Sequence, residues 1–178
     1  MQHVSDWGAE THKCTQNIQH FTYQHIHYGW YPQITLDTRQ QQVLSELISD
    51  AKYLEFDAPE DVIKWPLCAY LLHLLVFTPG QRVAVVASTQ REANRRYQGL
   101  LYPYDHLPQY WERSFEIRTS QEMHLETGSY IKTFTTDTKK HIAGFKPDVL
   151  IVEDTQVGNV AVKPSVRVIQ VTLPSRFR

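Results

Sequence analysis

Continuously apolar runs alternate with helical patterns along most of the chain. The segments "RVAVVAS", "DVLIVED" and "VRVIQVTL" are rich in β-branched residues, as in parallel strands that are covered on both faces. Around them, "TLDTRQQQVLSELISDA" and "TQREANRRYQGLLY" repeat apolar positions with a helical period. "KWPLCAYLLHLLVF" is apolar nearly all round, which predicts a buried helix with Pro66 in its first turn. This alternation predicts an α/β fold with a mostly parallel central sheet.

The remaining segments are shorter or less regular. "YLEF" predicts a short strand, and the alternating runs on either side of Gly128-Ser129 predict an antiparallel hairpin. The first part of the chain is polar and aromatic without a clear period, which predicts a loosely packed arm that ends in a strand or turn at "QHIHYGWYPQI". We therefore predict an N-terminal arm packed on the core over residues 1–35 and an α/β domain over residues 36–178.

Composition narrows the class of protein. A chain of 178 residues with 42% hydrophobic residues suits one globular domain. A net charge of -1 argues against a general basic coat for duplex DNA, although a local basic patch stays open. The two cysteines have no CxxC spacing, which favours a reducing compartment. The N-terminus lacks an apolar signal region, and the longest apolar run is well short of the roughly 20 residues that cross a bilayer. We expect a soluble protein that makes no membrane contact.

Two carboxylates follow one of the buried strands. Glu153 and Asp154 come directly after "VLIV", where P-loop ATPases place Asp and then Glu to hold magnesium and to orient the attacking water. The order is reversed here, which changes the reach of each carboxylate by about 1.5 Å. A displacement near 1 Å can cost on the order of 100-fold in rate. The alternative is a strand that simply ends in solvated acids.

A lysine stands where a phosphate-binding loop would place one. Lys64 begins the predicted buried helix and could reach the β- and γ-phosphates of a nucleotide. The connector before it has no glycine and contains Pro59, which has no N–H to donate, so we predict no inward-facing nest of amides. Glu60 and Asp61 would each repel a triphosphate by roughly 1 kcal/mol at about 4 Å. Alternatively, these acids only complement the helix dipole.

The histidines near the N-terminus raise the question of a metal site. His25 and His27 would share one face of a strand, which is an acceptable pairing of ligands. The remaining spacing is irregular and no cysteine completes a set, so we predict no metal. The histidines concerned are His3, His12, His20, His25 and His27. Cys68, inside the apolar helix, is interpreted as an inert buried thiol.

The order of these segments carries more information than any one of them. From "DTRQQQ" through Lys64, "RVAVVAS", "ETGSYIKTFTTDTKKHIAGFKPDVLIVED" and "VIQVTLPS", the chain resembles the ATPase domain of the large terminase subunit, the DNA-packaging motor of tailed bacteriophages. The resemblance runs from about residue 20 to residue 178. It implies a three-layer fold of the P-loop ATPase type for residues 36–178.

The resemblance also implies roles for single residues. Gln40 matches the glutamine that reads adenine, and Lys64 matches the P-loop lysine. Glu153 and Asp154 match the Walker B pair in inverted order. Thr172 and Pro174 resemble the coupling motif that links hydrolysis to movement. Gln40 and Lys64 are thus expected to be remnants of a nucleotide site.

Departures from the family pattern decide the functional expectation. The P-loop glycines and the magnesium-binding hydroxyl are missing. Since the sequence stops just after the coupling motif, we expect either an excised ATPase fragment or a free-standing relative without the family's nuclease domain. We expect a catalytically inactive terminase-ATPase-like protein, a binding or regulatory module linked to viral DNA packaging, with no catalytic residue and no cofactor. The alternative is a deviant but active ATPase that uses ATP, magnesium, Glu153 and Asp154, with its nuclease on another chain. A third hypothesis is a scaffold that binds a host factor or DNA.

Partners and location follow from the same resemblance. Terminase or other packaging proteins are the expected partners, and the host cytoplasm is the expected location. DNA binding and a homo-oligomer stay open.

Overall fold

The computed structural model describes residues 6–25, 35–105, 107, 115–154 and 163–173. Within these ranges the helices are α1 (Asp6–Gln16), α2 (Ile18–His25), α3 (Thr38–Leu47), α4 (Glu60–Phe77), α5 (Gln90–Asp105) and α6 (Lys139–Phe145). The strands are β1 (Tyr53–Asp57), β2 (Arg82–Ala87), β3 (Phe115–Arg118), β4 (Glu122–Leu125), β5 (Tyr130–Thr135), β6 (Val149–Glu153) and β7 (Arg167–Thr172). A short 3-10 turn, Thr136–Thr138, precedes α6.

The seven strands form one sheet in the order β1-β7-β6-β2-β5-β4-β3. The first five run parallel, and β4 and β3 extend the sheet antiparallel, which confirms the predicted mostly parallel sheet and the hairpin between β4 and β5. Asp57 pairs with Thr172, and Ala87 pairs with Glu153. The carboxyl ends of β1, β7, β6 and β2 therefore meet at one edge, where ligands bind in open α/β sheets.

Helices cover the sheet on both faces. Alternate residues of β2 point to opposite faces, so Val83 and Val85 join the large core with α4, while Ala84 and Val86 join a smaller core with Ile142 of α6. The continuous apolar character of β2 and β6 thus reflects two buried faces, and the result is the expected three-layer arrangement.

Helix α4 begins earlier than predicted. It starts at Glu60, so the prediction of a start at Lys64 with Pro66 in the first turn is wrong. Pro66 lies in the second turn, where it has no N–H to donate to the carbonyl of Val62. Burial of the helix offsets this loss, since residues such as Leu71 are completely inaccessible and each contributes about 1.5 to 3 kcal/mol. Across the described residues, no helix is both long enough and apolar enough to cross a membrane.

The N-terminal segment is more regular than predicted. Residues 6–25 form two helices instead of a loose arm, and Asn17 begins α2 by accepting a hydrogen bond from the backbone N–H of His20 (3.0 Å). The buried side chains of α2 follow a helical stripe: Ile18, Phe21, Thr22 and His25. Sequence reasoning missed this stripe because two of its four members are polar. Residues 26–34, with the predicted strand or turn and His27, lie outside the described residues, and the boundary at residue 35 stays a prediction.

Candidate active site

The connector between β1 and α4 has only Ala58 and Pro59. Between Ala58 and Ile63 no residue has a positive φ, although a nest of inward-facing amides alternates right-handed and left-handed residues. The backbone N–H of Val62 donates to the carbonyl of Pro59 at 3.0 Å, as in an ordinary first helical turn. The predicted absence of a nest is confirmed, and Lys64 lies at the start of the second turn of the helix.

Gln40 is held by two contacts within the protein. Its backbone and side chain form a capping box with Asp37, in which the Asp37 N–H donates to Gln40 Oε1 (3.1 Å). Gln40 Nε2 donates to the carbonyl of Asp61 (2.8 Å) and so ties α3 to the start of α4. Both ends of the amide that would read adenine are therefore engaged in structural contacts.

Glu153 lies in a buried ion pair. Its carboxylate is 2% exposed at the end of β6, and Arg96 Nε donates to Glu153 Oε2 at 2.6 Å. Arg95 Nη2 donates to the other oxygen at 3.3 Å. Both arginines lie on α5. Two permanent cations from the chain itself thus compensate this buried carboxylate.

The same arginines line a cavity beside Lys64. Arg95 also reaches Glu60 of α4, with 3.5 Å between Nη1 and Oε2. The cavity has a volume of about 230 Å³ and is lined by Glu60, Lys64, Leu67, Cys68, Arg95, Arg96 and Gly99. Cys68 is 2% exposed, and burial raises the pKa of its thiol to about 12, in agreement with its interpretation as an inert thiol. Three cations, Lys64, Arg95 and Arg96, therefore line this cavity.

Sequence reasoning missed Arg95 and Arg96. Both lie in the segment interpreted only as an amphipathic helix. Arg96 shares the buried face of α5 with Ala93 and Tyr97 and is 7% exposed. A charged residue within an apolar stripe requires a buried partner of opposite charge. The position of Arg96 within an apolar stripe therefore indicated a buried acidic partner, which the structure shows to be Glu153.

Asp154 has a backbone role. It adopts a left-handed conformation with φ of 49°, which is uncommon outside glycine but tolerated by aspartate. Its N–H donates to the carbonyl of Val171, and its Oδ1 accepts from the N–H of Leu173 at 2.8 Å. The second acid thus ties the end of β6 to the end of β7. Thr172 pairs with Asp57 at the same edge, and Pro174 lies outside the described residues.

At the N-terminus of α5, a carboxylate of the same helix accepts the available hydrogen bonds. Glu92 Oε2 accepts hydrogen bonds from the Thr89 N–H (3.1 Å), the Thr89 hydroxyl (3.0 Å) and the Ser88 hydroxyl (3.0 Å). These bonds, chiefly those from Thr89, lower the pKa of Glu92. A phosphate would use such donors at a helix N-terminus. The turn between β2 and α5 offers them to its own carboxylate instead.

The histidines near the N-terminus do not form a strand pair. His25 ends α2, so the prediction that it shares a strand face with His27 fails at His25. The structure brings His20 and His25 to the carboxylate of Glu10. His12 lies exposed on α1, and His3 lies outside the described residues.

The fold resembles solved phage proteins. No protein-family model matches the sequence, and no similar curated protein was found. The ATPase domain of the Thermus phage P74-26 large terminase, in an arginine-to-alanine variant, aligns with a TM-score of 0.60 at 13% identity over 76% of this chain and 65% of that domain. The HK97 bacteriophage large terminase aligns with a TM-score of 0.68 at 13% identity over 89% of this chain. The chain has the fold of a large terminase ATPase domain.

The chain aligns with only part of each solved protein. The chain spans 65% of the first of these solved domains and 37% of the HK97 protein. At this level of identity, the likeness establishes the fold and leaves the activity to the residues of the site.

Proposed function

We propose that this chain is a catalytically inactive terminase-ATPase-like protein that acts as a binding or regulatory module linked to viral DNA packaging. The observation that carries the proposal is the buried ion pair between Glu153 and Arg96. It occupies the carboxylate that an active relative would need for magnesium.

Magnesium would have to compete with this ion pair. Mg²⁺ requires near-octahedral oxygen coordination, and its ligands must be available on the side of the phosphates. Releasing Glu153 would leave Arg96 buried without its partner, and breaking a buried pair costs about 3 to 5 kcal/mol. A Mg-nucleotide would have to offset that cost before it gained any affinity.

The phosphate side of the site is also occupied by acids. Glu60 and Asp61 stand in the first turn of α4, and Glu92 takes the donors at the start of α5. Each adds negative charge where a triphosphate would lie. Positioning and electrostatic stabilisation supply nearly all of the catalysis in phosphoryl transfer, so this arrangement opposes turnover.

The link to packaging comes from the solved terminases with the same fold. We propose terminase or other packaging proteins as partners, in the host cytoplasm. On this hypothesis the fold is retained for contact with partners, and the remnants Gln40 and Lys64 do not contact nucleotide.

Calorimetry with Mg-ATP and a phosphate-release assay test the proposal together. We expect no binding heat and no steady hydrolysis from the wild type. Hydrolysis that disappears in Lys64→Ala and Asp154→Ala but persists in the control Lys52→Ala would overturn the proposal. Lys52 is a suitable control because it is exposed just before β1. A pull-down with purified packaging proteins should retain binding in Lys64→Ala.

A deviant active ATPase is the second candidate, and one observation favours it. Lys64, Arg95 and Arg96 line one cavity, and among the described residues Arg96 Nη2 is buried without a hydrogen-bond partner. A phosphate oxygen could accept from such a group. On this alternative ATP and magnesium are bound, and the nuclease is on another chain. The hydrolysis assay separates the two candidates directly.

A further inference from the structure

The two N-terminal helices bring four ligand-type side chains together around one oxygen atom. Cys14 lies one turn after Glu10 on α1, so the two side chains share a helix face. His20 and His25 approach from α2. Glu10 Oε1 lies 2.7 Å from His20 Nε2, 3.0 Å from His25 Nε2 and 3.6 Å from Cys14 Sγ.

One oxygen of Glu10 is the meeting point for two imidazoles and one thiol. Glu92 Oε2 also accepts three hydrogen bonds, but from amide and hydroxyl groups, whereas imidazole and thiolate are preferred ligands of transition metals. A cation between the Glu10, His20, His25 and Cys14 atoms would use the same convergence. Loss of the N–H and S–H protons would turn the three donors into ligands, with Glu10 Oε1 as another.

The donor set matches zinc in type. Zinc binds thiolate at about 2.3 Å and imidazole or carboxylate at about 2.0 to 2.2 Å, in tetrahedral geometry. Neighbouring ligand atoms around such an ion are therefore roughly 3.3 to 3.8 Å apart. The ligand atoms of Glu10, Cys14 and His25 all lie within 4.8 Å of one another. His20 joins them through the shared oxygen of Glu10. The 2.7 and 3.0 Å contacts of that oxygen are shorter than the ligand spacing around zinc, so these side chains would move apart to admit the ion.

The surroundings suit a metal that enters from one side. The Cys14 thiol is fully buried, while the Glu10 and His20 side chains are 24% and 30% exposed. His73 of α4 lies 2.8 Å from the carbonyl of Cys14 and so holds this part of α1 in place.

We propose that Glu10, Cys14 and His25, with His20 as the fourth ligand, form a zinc site that fastens α1 to α2. The site lies apart from the carboxyl edge of the sheet and does not depend on the proposed function. Its role is structural, because four protein ligands leave no open position for a substrate.

Zinc and cobalt are the probes for this site. Purified protein incubated with zinc and then desalted should retain one equivalent per chain by elemental analysis. Cobalt in its place should give the charge-transfer absorption of a cobalt–thiolate bond. Cys14→Ser should abolish this absorption, whereas Cys68→Ser should retain it because Cys68 lies in α4. Glu10→Gln should weaken zinc binding by more than about tenfold, a loss already seen when only the supporting shell is altered.

Two further measurements keep the result decisive if Cys14→Ser fails to fold. His20→Gln changes a partly exposed side chain, and His12→Gln changes an exposed histidine on α1 as its control. Zinc should raise the melting temperature of the wild type and of His12→Gln, with a smaller rise in His20→Gln. A wild type that retains no zinc, or a cobalt–thiolate absorption that persists in folded Cys14→Ser, overturns the proposal. Equal zinc-dependent stabilisation in the wild type and Glu10→Gln also overturns it.

Discussion

Two carboxylates in this protein gather partners from neighbouring helices, but the partners differ in kind. Glu153 at the sheet edge is 2% exposed and is held by the guanidinium groups of Arg95 and Arg96. Glu10 near the N-terminus is held by imidazole and thiol groups. Guanidinium cannot release a proton in a protein, whereas imidazole and thiol can. Arginines around a carboxylate therefore disfavour metal binding there, whereas imidazole and thiol groups can lose a proton and become metal ligands.

The largest expected effect comes from removing a permanent cation. Arg96→Met should destabilise the protein by about 3 to 5 kcal/mol, because Glu153 would remain buried beside only the longer contact from Arg95. Urea unfolding measures the change. The control Arg91→Met alters an exposed arginine of the same helix and should stay within about 0.5 kcal/mol.

A paired replacement sharpens this prediction. Arg96→Met combined with Glu153→Leu removes both charges, and apolar replacement of a buried pair is often neutral or stabilising. The double variant should therefore recover most of the stability lost in Arg96→Met. Stability as low as that of the single variant would mean that packing around the arginine, not charge pairing, holds this edge together.

A smaller effect is expected where the carboxylate serves the backbone. Asp154→Ala should cost about 1 to 3 kcal/mol, because the Leu173 N–H loses its acceptor. Asp154→Asn keeps an acceptor oxygen and tolerates the left-handed conformation, so it should cost clearly less. Thermal unfolding of both variants checks the difference. Equal losses would contradict a role based on acceptance and backbone conformation.

Removing the N-terminal cap of α3 should cost less stability than Asp154→Ala. Gln40→Ala removes the capping-box acceptor and the bond to the Asp61 carbonyl, which should cost about 1 kcal/mol. Gln42→Ala on the same helix is the control, since the exposed Gln42 side chain donates a hydrogen bond to Glu46 within the same helix. Urea unfolding compares them. Should Gln40→Ala leave stability unchanged, the amide is not a structural contact and its assignment as an adenine reader regains support.

A further effect concerns the stability of the N-terminal helices in acid. Chiefly the hydrogen bond with His25 lowers the pKa of Glu10 from 4.5 to about 2. A folded-state pKa below the unfolded value contributes stability that is present above the unfolded pKa and is lost as the pH falls through the folded one. In the presence of a chelator, wild type should therefore lose more stability than Glu10→Gln between about pH 4.5 and pH 2. Parallel pH profiles for the two proteins would contradict this.

The sequence by itself determined the layers of the fold. Continuous β-branched runs such as β2 require burial on both faces, and that requirement is local enough to be seen without a structure. The helix that became α3 was also visible, because a helical period needs only residues a few positions apart. The missing glycines before Lys64 were equally local, and they correctly predicted the lack of a nest.

Only the tertiary structure decided the sites. Arg96 and Glu153 are 57 residues apart along the chain, and their 2.6 Å contact exists because β6 lies beside the strand that precedes α5. Glu10 meets His25 because α1 and α2, separated only by Asn17, contact each other. The buried stripe of α2 includes Thr22 and His25. Hydrophobic periodicity indicates which positions of a helix or strand are buried. It does not indicate which charged or ligand-type side chains from distant segments will be in contact, because those contacts depend on how the elements pack together.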